Sequence, residues 1–189
     1  MSGRLALSLL ALSACVGPPR RPAPPPARPE LARAVEAAAA LQVPGPEHAS
    51  LARLVGDWEV TVEVAPGETL GGGTARIHET HGGRFVRFDL ELELAGEPTT
   101  LTGWFGYDRV GEHYQALWLS NLATGMALLR GRGVLDDGGI LLYGASAAAR
   151  GRTRLLLRED GVLEVSSSGV GPDGEEKLLR RSRYVRAAR

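Results

Sequence analysis

From Asp57 onward apolar and polar residues alternate with a period of two. In Asp57–Val64 (DWEVTVEV), Trp58, Val60, Val62 and Val64 fall on one side, and Glu59, Thr61 and Glu63 on the other. In Arg84–Leu94 (RFVRFDLELEL), Val86, Phe88, Leu90, Leu92 and Leu94 share a side opposed by Arg87, Asp89, Glu91 and Glu93. A strand directs successive side chains to opposite faces, so this pattern predicts antiparallel strands with one face in a core and one in water. Turn formers recur at Pro66-Gly67, Gly82-Gly83, Gly96-Glu97-Pro98, Val110-Gly111, Asp137-Gly138, Asp160-Gly161 and Pro172-Asp173-Gly174. They divide the chain into about ten strands joined mostly by hairpins. No stretch between them is long and periodic enough for a crossover helix, which argues against a parallel sheet. Closing such a meander into a barrel removes its edges. The predicted fold is therefore all-β, an antiparallel meander of about ten strands closed as a barrel. A short helix over Glu47 to Val55 precedes the first strand and is placed to plug one end.

Five of the chain's ten aromatic residues lie within Trp104–Trp118 (WFGYDRVGEHYQALW). The stretch reads as strand, turn, strand. A two-residue turn at Val110-Gly111 sets Arg109 opposite Glu112, Asp108 opposite His113, Tyr107 opposite Tyr114, Phe105 opposite Ala116 and Gly103 opposite Trp118. Phe105, Tyr107, Tyr114 and Trp118 then share one face. It is expected to point inward, because Gly103 and Ala116 leave space between the rings and Asp108, His113 and Gln115 prefer water. Trp104 falls on the outer face, to be shielded by Leu117 or by the N-terminal segment. Such a face serves equally as a packed cross-strand ladder or as a platform for a ligand. If a ligand is held, Tyr107 and Tyr114 are expected to touch it.

In the later strands the alternation fades. MALLRGRGVL puts Arg130 and Arg132 on the side of Met126, Leu128 and Val134, and LLRRSRYVR puts Arg180, Ser182, Tyr184 and Arg186 on the side of Leu178. Polar residues thus fall on both faces, which fits a wet half of the barrel or strands at a flared rim. A small closed barrel can hold one small ligand, and arginine presents paired donors suited to a carboxylate. The candidate ligand-binding residues are Phe105, Tyr107, Tyr114, Trp118, Arg130 and Arg132.

The chain opens MSGRLALSLLALSACVG, with Arg4 as a positive n-region and an apolar run over Leu5–Ala14 that is too short to span a bilayer. This reads as a secretory signal over residues 1–14. Cys15 is the only cysteine, so an intrachain disulfide is excluded. Seven prolines between Pro18 and Pro29 predict an extended tether, and Leu31–Gln42 predicts an Ala-rich helix that packs loosely. Residues 15–45 are read as tether and helical segment and 46–189 as one barrel domain. The 22 basic and 22 acidic residues balance, which argues against a nucleic-acid partner.

Three resemblances add to this reading. Leu12-Ser13-Ala14-Cys15 resembles the lipobox of bacterial lipoproteins, which implies that Cys15 carries a lipid and anchors the chain to a membrane. Val16, where an acid is associated with inner-membrane retention, favours the outer membrane, facing the periplasm. Gly56-Asp57-Trp58 after a short helix resembles the G-x-W motif of lipocalins and other calycins. That implies a Trp58 ring closing one end against an arginine of the last strand, where Arg181, Arg183 and Arg186 stand, with Arg183 and Arg186 the candidates for closure. Leu54-Val55-Gly56-Asp57-Trp58, Gly103, Gly106-Tyr107-Asp108, Tyr114 with Trp118, Gly171-Pro172-Asp173-Gly174-Glu175 and Tyr184-Val185-Arg186 together resemble the uncharacterised bacterial domain-of-unknown-function family fifteen-seventy-nine. This implies a calycin-like barrel and assigns no activity. The neighbouring nitrobindin-like proteins ligate haem through a late histidine, and no histidine follows His113 here.

Catalytic and metal chemistry have little support in the sequence. His78 and His81 stand three apart, on opposite faces of a strand, and a zinc site needs three or four ligands. Asp108 and His113 pair as an orienting couple with no nucleophile beside them. Ser166-Ser167-Ser168 lacks a nucleophile elbow, and Gly71-Gly72-Gly73 matches no phosphate loop. No metal, cofactor or catalytic residue is expected. The reading is a lipid-anchored barrel holding a small apolar or amphipathic guest, with an anionic guest among the options. The alternatives are a filled barrel that contacts an envelope partner, and a hydrolase-like enzyme using Asp108 and His113.

Overall fold

Side-chain alternation carries through ten strands: β1 Gly56–Ala65, β2 Glu68–Thr80, β3 Phe85–Leu94, β4 Glu97–Asp108, β5 His113–Ser120, β6 Ala127–Gly131, β7 Ile140–Ala145, β8 Arg150–Leu157, β9 Leu163–Val170 and β10 Glu176–Arg186. Each pairs with its sequence neighbours, and β1 pairs with β10 to close the barrel. The computed structural model describes residues 29–131, 134–135, 137–145, 150–170 and 174–188. The signal, Cys15 and the proline tether lie outside the described residues. Trp58, Val60 and Val62 of β1 and Val86, Phe88, Leu90, Leu92 and Leu94 of β3 are buried, as their period predicts.

Two helices precede the barrel. Helix α1, Pro29–Leu41, has no buried residue. It is tied on by its C-terminal end alone: the Arg109 guanidinium donates to the Ala40 and Val43 carbonyls, and Arg84 donates to Gln42. Cations there complement the negative end of the helix dipole. Helix α2, Pro46–Ala52, starts with proline at its first turn and buries His48 and Leu51. With Leu54 it caps the pole where β1 begins and β4 meets β5. The loops β1–β2, β3–β4 and β5–β6 ring the opposite pole.

The β4–β5 register is the one expected, from Gly103↔Trp118 to Asp108↔His113. The connection differs: it spans Arg109–Glu112, with Glu112 at φ 50° and the Asp108 carboxylate accepting from the Val110 and Gly111 amides. Asp108 thereby supplies the turn that a tighter glycine pair would otherwise make. A Cβ on Gly103 would lie 2.4 Å from the Trp118 ring, so only glycine fits beneath it. Trp104 stands half-buried on the outer face, opposite Leu117 and under the Arg87 guanidinium, 5.3 Å from its ring.

Candidate ligand-binding cavity

Trp58 closes the plugged pole. Trp58 is 1 % exposed, donates from Nε1 to the Leu54 carbonyl at 3.0 Å, and carries the Arg186 guanidinium 4.0 Å from its ring centroid. Arg186 also donates to the Val55 and Arg53 carbonyls. A Cβ on Gly56 would collide with that guanidinium, which explains the glycine of the tripeptide. Arg183 corrects one expectation. It pairs with Thr61 on the exposed outer face, so Arg186 alone of the two candidates closes the barrel.

The aromatic face does point inward. Phe105 is fully buried, Tyr114 nearly so, and Tyr107 and Trp118 pack partly buried against the core. Tyr107 and Tyr114 meet edge-on at 4.8 Å, and Tyr107 meets His48 of α2 at 6.2 Å. Burial pushes both phenols above their ordinary pKa, helped by Glu47 nearby. His48, unnoticed in the sequence, also accepts from the Gly45 amide at 3.0 Å. This trio belongs to the plugged pole.

Toward the other pole the interior opens into a cavity of about 350 Å³. One wall is apolar: Leu90, Leu92, Leu101, Trp118 and Leu129, from β3 to β6. Trp118 is the member of the aromatic face that lines it; Phe105, Tyr107 and Tyr114 do not. Gly144 and Gly151, paired across β7 and β8, also line the cavity. The facing wall is polar. Thr153, Ser167 and Arg180 stand in register across β8, β9 and β10, and the Thr153 and Ser167 hydroxyls lie 3.2 Å apart. Ser182 and Tyr184 continue this wall. Burial pushes the Tyr184 hydroxyl up to about 12, so it stays a neutral donor. Arg152 is neutralised by Glu176, to which Ser168 also donates. Leu119, Ser120, Leu122, Ala123 and Gly125 line the mouth.

Of the two arginines named from the sequence, Arg130 is not on these walls. Arg130 is exposed, because the inner positions of β6 are Ala127, Leu129 and Gly131, paired with Trp118, Ala116 and Tyr114. Leu128 faces out and is 62 % exposed. Facing residues of paired strands share a face, so inward Trp118 and Tyr114 dictate this parity. Arg132 lies outside the described residues. The interior arginine is Arg180. The β9–β10 register shifts between Leu178 and Arg180, so one extra residue sits in β10 and both Leu179 and Arg180 border the cavity. Such a bulge re-aims side chains.

Asp108 and His113 face each other at the plugged pole, outside the cavity walls. The Gly111 and Val110 amides hold the Asp108 carboxyl below its usual pKa. His78 comes within 3.9 Å of the Asp89 carboxylate, whose other oxygen accepts from Arg87 and Thr102. Among the described residues no three His, Cys, Asp or Glu side chains gather to hold a metal.

No curated protein matches the chain. A family model described as a protein of unknown function, DUF1579, matches residues 43–186, from the end of α1 to the last residue of β10. The matched span takes in the plug, every strand and both cavity walls, and the chain is therefore a member of the DUF1579 family.

Proposed function

We propose that this chain is a lipid-anchored envelope protein whose barrel binds one small, mainly apolar molecule and carries out no reaction on it. One observation carries the reading: the cavity of about 350 Å³, with an apolar wall facing a polar one. Ligand sites are concave, mostly apolar and furnished with a few placed polar groups, in this size range. A barrel stabilised only by its own side chains has no use for such a space. The lipobox-like segment ending at Cys15 supports the anchor.

The test uses the wild type and Ala127→Phe, which puts a ring into the cavity opposite Trp118. A neutral apolar dye such as N-phenyl-1-naphthylamine is titrated against both, with thermal melts as the control for folding. Saturable binding by the wild type that is lost in a folded Ala127→Phe supports the reading. Equal binding by both proteins, or none by the wild type, overturns it.

A second reading draws on the outer surface. Trp104, Leu117 and Leu128 stand in register across β4, β5 and β6, with Leu128 and Tyr143 more than half exposed. An apolar band of this kind suits an envelope partner. Leu128→Glu/Tyr143→Glu abolishes capture of that partner while leaving dye binding intact if the band is the working surface.

A further inference from the structure

We infer that the molecule bound in the cavity is an amphiphile with an anionic head, and that Arg180 holds that head. The inference rests on the binding reading above and names the class of ligand. Five arginines of this barrel are ion-paired: Arg76 with Asp57, Arg87 with Asp89, Arg152 with Glu176, Arg154 with Asp137 and Arg158 with Glu164. Arg84, Arg109 and Arg186 donate to backbone carbonyls. Arg33, Arg53, Arg130, Arg181 and Arg183 are exposed, where water serves them. Among the described residues with a described side chain, Arg180 is the arginine that is partly buried and has neither an ion pair nor a hydrogen bond. Among the described residues no acidic side chain lines the cavity beside it.

A guanidinium keeps its charge at any physiological pH, so withdrawing it from water without a partner costs free energy. A guest carboxylate offsets that cost through two parallel charge-assisted hydrogen bonds. The surroundings suit the same atom group. Ser167 is in register with Arg180, and Ser182 and Tyr184 line the same wall with hydroxyls that can donate. Tyr184 stays protonated far above neutral pH and does not compete as an anion. Across the cavity Leu90, Leu92 and Leu129 offer an alkyl tail a wall without polar atoms in their side chains.

The register shift before Arg180 interrupts the β9–β10 ladder at the cavity wall. It occupies one extra residue in β10 beside a strand pair that is otherwise regular. Bulges of this sort turn a chosen side chain toward a site.

The experiment compares decanoate with 1-decanol and decyltrimethylammonium, three guests with the same tail and an anionic, neutral or cationic head, by displacement of the apolar dye. It uses the wild type, Arg180→Met and Arg180→Lys, each checked by its melting temperature. The expected result is decanoate binding at least about tenfold tighter than decanol in the wild type, as one charge-assisted hydrogen bond or more allows. In Arg180→Met the two are expected to bind alike, and Arg180→Lys to regain part of the preference. Equal affinity for decanoate and decanol in the wild type overturns the inference and leaves the binding reading standing. So does a preference that survives in Arg180→Met, or tightest binding of the cation. Binding of none of the three overturns the inference, and the binding reading then stands or falls by the dye.

Discussion

The Arg186 guanidinium of the last strand lies over the Trp58 ring of the first, 4.0 Å from its centroid, and so joins the two ends of the barrel. Removing the ring leaves a large hole under α2. Trp58→Ala is expected to destabilise the domain by about 3–5 kcal/mol. Arg186→Met keeps an apolar stem but loses the ring contact and two carbonyl bonds, for about 1–3 kcal/mol. Urea unfolding followed by circular dichroism gives both numbers, and a Trp58→Ala loss below that of Arg186→Met contradicts this arrangement.

Gly103 and Trp118 form the tightest small-to-large match of the aromatic hairpin, with 2.4 Å between a built Cβ and the ring. Gly103→Ala is expected to lower stability by about 1–3 kcal/mol through overpacking. Trp118→Leu in the Gly103→Ala background should then cost less than Trp118→Leu alone. Additive losses in this double-mutant cycle would mean that the two positions do not meet.

The Tyr184 phenol gives the domain an alkaline weakness. Its proton leaves near pH 10 in an unfolded chain, and in the folded barrel burial holds it to about 12. The sign follows from linkage: the contribution is complete below pH 10 and is lost as pH rises through the folded value. Two units correspond to about 3 kcal/mol across that window. Tyr184→Phe should flatten the fall in unfolding free energy between about pH 10 and about pH 12, and an unchanged slope would contradict it.

Helix α1 is held by Arg84 and Arg109 rather than by packing. Arg84→Ala/Arg109→Ala is expected to speed amide hydrogen exchange across residues 29–41 at least tenfold while the strands keep their protection. Unchanged exchange there would show that α1 is secured by something else.

The anchor is tested at Cys15, the one cysteine. Cys15→Ser is expected to move the protein from the membrane fraction to the soluble one and to abolish labelling with a clickable fatty acid. A variant that remains in the membrane fraction contradicts lipid attachment.

Where one face of a strand meets water and the other a core, the sequence declares itself. Trp58, Val60 and Val62 against Glu59 and Thr61 leave no doubt about β1, and the register of β4 with β5 follows from glycine and alanine facing large rings. β6 hides its parity, because Ala127 and Gly131 occupy inner positions while Leu128 faces out. Hydrophobicity there points the wrong way, and it carried Arg130 onto the wrong face. Continuing the ladder from Trp118 and Tyr114 recovers the right one. The cavity is harder to foresee. Its lining draws on two glycines, on a polar row from three separate strands, and on a one-residue bulge that no local pattern in KLLRRSRYVR announces.

Arg186 and Val55 touch across 131 positions of chain. During synthesis the first strand therefore waits for the last one for almost the whole time that the domain is being made. A chain interrupted before Glu176 is not a smaller barrel but an unclosed one, with β1 and β9 both lacking a neighbour. Contacts this distant in sequence form slowly. The barrel therefore reaches its closed form only once its last strand, β10, is present.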